Sequence, residues 1–82
     1  MNKKELKELI DYSIERLKRD NQRDFIIKNG SYTNKYDIYE VINNKECYMY
    51  GSLDLERIHD SLCVIYNFLQ TEKLYNKNEV LN

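Results

Sequence analysis

The sequence predicts a small single α+β domain of order α-β-β-β-α, a three-stranded antiparallel sheet with two helices on one face. Three observations predict it. Apolar residues recur at helical spacing near both ends of the chain, the middle reads as short alternating runs separated by Asn- and Gly-containing breaks, and 82 residues leave room for one core.

The first helix is assigned to residues 2–20. Leu6, Leu9, Ile10, Ser13, Ile14 and Leu17 form one stripe, and lysines and glutamates fill the rest of the surface. Asn2 suits the cap with Glu5 three residues on, and Arg16, Lys18 and Arg19 suit the negative end of the helix dipole. After a break at Asn21 and Gln22, Phe25, Ile26 and Ile27 are too short a run for a helix and read as a strand over about 23–28. Asn29-Gly30 is read as a turn in which both residues tolerate positive φ. Residues 31–35, SYTNK, fit either loop or strand extension. A second strand is assigned to 36–42 and a third to about 47–51, with 43–46 as their hairpin connection. Gly51 ends the third strand. Ser52 or Asp54 caps a second helix over 53–74, whose stripe is Leu55, Ile58, Leu62, Ile65, Tyr66 and Leu69, and the tail 76–82 is expected to fray.

The hairpin decides which side chains are left for function. With the hairpin turning around Asn44-Lys45, or with the four residues Asn43 to Glu46 as its loop, Ile42 is set opposite Cys47, Val41 opposite Tyr48 and Tyr39 opposite Tyr50. One face then carries Ile38, Ile42, Cys47 and Met49, and the helices are expected to cover it, with Glu40 near its rim. The expected core is Leu6, Leu9, Ile10, Ile14, Leu17, Phe25 or Ile26, Ile38, Ile42, Met49, Ile58, Leu62, Ile65 and Leu69. The other face carries Tyr39, Val41, Tyr48 and Tyr50, and these four are the expected partner-binding residues. Tyrosine brings a large contact area at low entropic cost together with a hydroxyl, which suits it to interfaces.

Composition narrows the chemistry. Thirteen basic residues against fourteen acidic give a formal net charge of −1, so no global field draws the chain to phosphates. Stacking of unpaired bases on the tyrosine face is weakened further by Asp37, Glu40 and Glu46, and nucleic acid is the lesser expectation. The basic run Arg16, Lys18, Arg19 and Arg23 reads as a solvated helix end. No apolar run has the length of a signal peptide or membrane span, which places the chain in the cytoplasm, crossing no membrane. Cys47 and Cys63 then read as reduced thiols, a disulfide between them being the lesser reading. His59 and Cys63 are four apart on the second helix, and Cys47 would supply a third ligand. Spacings this general fit a boundary histidine better than a metal site. With one histidine and no paired nucleophile and base, the chain is not expected to be an enzyme, and no catalytic residue, metal or cofactor is assigned.

The abundance of Asn, Lys, Ile and Tyr suggests an AT-rich coding sequence, as in many low-GC bacteria and their phages. In size, near-neutral charge and lack of catalytic groups the chain resembles the broad population of small phage and mobile-element accessory proteins, anti-CRISPR inhibitors among them. No motif carries that resemblance. It implies a non-catalytic protein-binding module, an inhibitor or regulator that occupies a surface of a larger protein. A nucleic-acid-associated regulator and a self-associating structural protein are the alternatives, and a homodimer is also compatible with so small a core.

Overall fold

The computed structural model describes residues 1–30 and 34–81, with side chains through residue 76. The elements are α1 (Lys3–Asn21), β1 (Asp24–Asn29), β2 (Tyr36–Ile42), β3 (Lys45–Ser52) and α2 (Leu55–Leu81). The α-β-β-β-α order and the antiparallel sheet are as the sequence predicts, with strand order β1-β2-β3 and both outer edges unpaired among the described residues.

Each helix starts where its capping chemistry puts it. The Asn2 carboxamide oxygen accepts from the Glu5 amide at 2.8 Å, and the Asp54 carboxylate accepts from the Glu56 amide at 3.0 Å. α1 ends where Gln22 turns left-handed, at φ 54°, so that the amides of Gln22 and Arg23 reach back to the carbonyls of Lys18 and Leu17. α2 continues to Leu81, so the tail expected to fray at 76–82 belongs, through Leu81, to the helix.

Phe25, Tyr36 and Ile38 of the sheet pack with Leu6, Ile10 and Leu17 of α1 and with Leu55, Ile58 and Leu62 of α2. All three sheet residues lie on one face in the observed register, so both helices sit on that face. The helices run parallel, with Leu6 and Leu55 near one end and Asp20 beside Tyr66 near the other. Since α2 has 27 residues against 19 in α1, its last turns project beyond the body.

Several expectations about the core need correction. Ile42 and Met49 are largely exposed and Leu9 is only half-buried, whereas Tyr36 joins the core and Phe25, not Ile26, is the enclosed member of β1. Glu40, expected at the rim, is buried. Arg23 crosses from the end of α1 to hold it with two hydrogen bonds, the one from its terminal nitrogen at 2.7 Å. That carboxylate holds the Arg23 guanidinium above its ordinary pKa, outweighing the burial that opposes it.

The turns differ as well. Neither Asn29 nor Gly30 has positive φ. Gly30 is needed for a close approach instead, since a Cβ there would strike the Asn34 carbonyl, and its amide donates to the Lys35 carbonyl at 2.8 Å. Ser31, Tyr32 and Thr33, most of the segment left open between loop and strand, lie outside the described residues, and Asn34 and Lys35 lie outside any strand. The hairpin turns on Asn43 and Asn44 alone, at φ 52° and 65°, values that suit a two-residue turn and that asparagine tolerates.

Candidate partner-binding surface

The short turn resets the hairpin register. Ile42 pairs with Lys45, Val41 with Glu46, Glu40 with Cys47 and Tyr39 with Tyr48. Beyond Tyr48 the ladder slips by one. Ile38 pairs with Tyr50, leaving Met49 as the extra residue of a bulge. The expected opposition of Tyr39 to Tyr50 is therefore corrected, for two reasons: the loop is two residues shorter than the four assigned, and the bulge returns Tyr50 to the side of Ile38.

Of the four expected binding residues, Tyr39, Val41 and Tyr48 stand together on the face turned away from the helices, joined by Ile26 from β1. Tyr39 and Tyr48 are directly opposed, with ring centroids 5.8 Å apart and planes at 76°, an edge-to-face pair. Lys28 reaches across β2 to Glu46 at 2.6 Å, and its ammonium lies 5.3 Å from the centre of the Tyr39 ring. Tyr48, 56% exposed, has its hydroxyl above Gly51, where an added Cβ would lie 2.7 Å from that oxygen and 2.5 Å from the Asp37 carboxylate. Gly51 thus serves the placement of Tyr48, but it does not end the strand as expected, since β3 runs on to Ser52. One carboxylate oxygen of buried Asp37 has no hydrogen-bond partner among the described residues.

Tyr50 lies on the other side, where with Met49 it borders a groove between β3 and α2. Two adjoining hollows of about 480 and 320 Å³ share Met49, Val64 and Ile65. Arg57 and Ser61 border one, Phe68 and Glu72 the other. Val64 and Phe68 are each 66% exposed, a second apolar surface that the sequence reading missed. Its signal was present in the sequence: Val64 and Phe68 stand four apart, off the stripe that begins at Leu55, so α2 is apolar over more than one face.

His59 and Cys63 do meet, with Sγ 3.6 Å from Nε2, while Cys47 lies exposed on β3. Among the described residues no three potential ligands converge on a metal position, and both thiols are free. No helix among these residues is long and apolar enough to cross a membrane.

No protein-family model matches the chain, and no curated protein or solved structure is significantly similar to it.

Proposed function

We propose that the chain is a small non-catalytic protein-binding module, an inhibitor or regulator that works in the cytoplasm by occupying a surface of a larger protein with the open face of its sheet. The observation that carries this reading is the Tyr39–Tyr48 pair, directly opposed across β2 and β3 on a face that neither helix covers, with the unpaired β3 edge beside it. Paired aromatic rings flanked by Ile26 and Val41 supply the apolar centre that dominates binding energy at protein interfaces. Lys28 and Glu46 supply a charged border.

The charge on this face favours protein over nucleic acid. Its lysine, Lys28, is already engaged by Glu46, and Asp24 adds further negative charge on the same side.

The test is co-purification from the native host, with the retained protein identified by mass spectrometry, followed by direct titration of that protein with wild type and Tyr48→Ser. The substitution is expected to weaken binding by about tenfold or more while leaving the circular dichroism melt unchanged. Equal affinity of the two proteins would overturn the reading. Retained material that absorbs at 260 nm and is lost on nuclease treatment would overturn it in favour of nucleic acid.

A further inference from the structure

The groove between β3 and α2 is independent of the open sheet face, and the order of residues along it is self-complementary. On α2 it is bordered by Arg57, Ser61, Val64, Phe68 and Glu72, whose spacings of four, three, four and four keep them on one side of the helix. We propose that this side of α2 packs antiparallel against α2 of a second copy of the chain, across a twofold axis normal to the sheet.

In a twofold pair each residue faces one set position of the copy. An axis passing midway between Val64 and Ile65 sets Arg57 opposite Glu72 of the second copy and Ser61 opposite its Phe68, and each match occurs twice. The cation meets a carboxylate, and the large ring meets a small side chain that leaves room for it. Arg57 and Glu72 are exposed, and neither is in an ion pair among the described residues. The matched stretch runs about 22 Å along the helix. Met49 and Tyr50 flank it, both among the exposed apolar residues.

The same axis brings the unpaired edge of β3 alongside its copy in the antiparallel sense, the sense in which the strands of this sheet already join. Tyr39 and Tyr48 stay uncovered, so the dimer presents the proposed partner face twice on one side.

Sedimentation velocity of the full chain over a range of concentrations tests the proposal. Wild type is expected to pass from monomer to dimer as concentration rises. Phe68→Asp is expected to raise the dimer dissociation constant by about tenfold or more with the dichroism spectrum unchanged. Arg57→Glu and Glu72→Arg are each expected to weaken the dimer, and the double variant R57E/E72R to recover most of the loss, since the reversed charges again face one another. Tyr48→Ser is expected to leave the dimer intact, which separates this proposal from the partner surface. A wild-type chain that stays monomeric at hundreds of micromolar would overturn the proposal. So would a double variant no tighter than the single ones, or a dimer that survives Phe68→Asp and is lost with Tyr48→Ser.

Discussion

The two flanks of α2 receive opposite treatment. Towards α1 the helix is sealed by polar groups. The Tyr66 hydroxyl donates to the Asp20 carboxylate at 2.7 Å and accepts from the Gln70 amide at 2.8 Å. The Arg16 guanidinium lies 3.7 Å from the centre of the Tyr66 ring, and Lys73 donates to the Asp20 carbonyl. Towards β3 the same helix shows Val64 and Phe68 to solvent over the shallow groove. A flank whose tyrosine hydroxyl and carboxylate are engaged within the chain has little left to offer a partner. Exposed apolar area, by contrast, gains free energy only when something covers it. The difference ties one flank to folding and leaves the other open to the association proposed above.

Substitutions can break or sharpen that contrast. The largest effect is expected at the core. Leu62, with no exposed surface, should cost about 2–5 kcal/mol when replaced by Ala. Val64→Ala, two residues on at 66% exposure, should stay within about 0.5 kcal/mol. Urea midpoints of the two variants measure the contrast directly, and similar losses would erase it. The next effect is expected at the far end of the groove, where Arg23→Leu strips the buried Glu40 carboxylate of its partner and should cost about 1–3 kcal/mol, read as a lower urea midpoint at unchanged slope.

The smallest effect tests the sealed flank. The Asp20 carboxyl is held below its ordinary pKa, first by hydrogen bonding from Arg19 and then by the Tyr66 hydroxyl. A carboxylate with a lowered pKa contributes stability that is complete above about pH 4 and is lost as pH falls from there through the lower folded-state value. Tyr66→Phe should lower Tm by about 4 °C at neutral pH, and its deficit should shrink as pH is taken below about 4. A deficit independent of pH in thermal melts would assign Tyr66 a packing role alone.

The order of the elements was legible in the sequence because it rests on local signals. The Leu6, Ile10 and Leu17 stripe, the Asn2 cap and the Leu55, Ile58 and Leu62 stripe each lie within one helix, and the structure follows them. Which side chains share a sheet face was less legible, because register depends on turn length and on bulges. Asn43 and Asn44 carry a visible signal for a two-residue turn. Nothing local distinguishes Met49 as the extra residue of a bulge, whose position follows from Tyr36 and Ser52 pairing at the far end of the hairpin. Glu40 was misjudged for a similar reason. Its partner Arg23 is 17 residues away in the chain, so neither residue alone announces a buried ion pair. The Tyr39 and Tyr48 placement survived the shift in register because both lie before the bulge, whereas Tyr50 lies after it.

The bulge at Met49 also has an evolutionary consequence. Everything on β3 before it alternates in one phase and everything after it in the other, so the extra residue is absorbed at one point and the ladder resumes beyond it. Loss of the single codon for Met49 would close the bulge and leave Tyr48 opposite Tyr39 and Tyr50 opposite Ile38, so every other side chain of β3 would keep its face. A lineage of such chains can therefore lose or regain a residue at this point without exchanging an aromatic ring between the two surfaces. Among its descendants, the identity of the residues flanking the bulge would be a better guide to which surface is in use than the length of the hairpin.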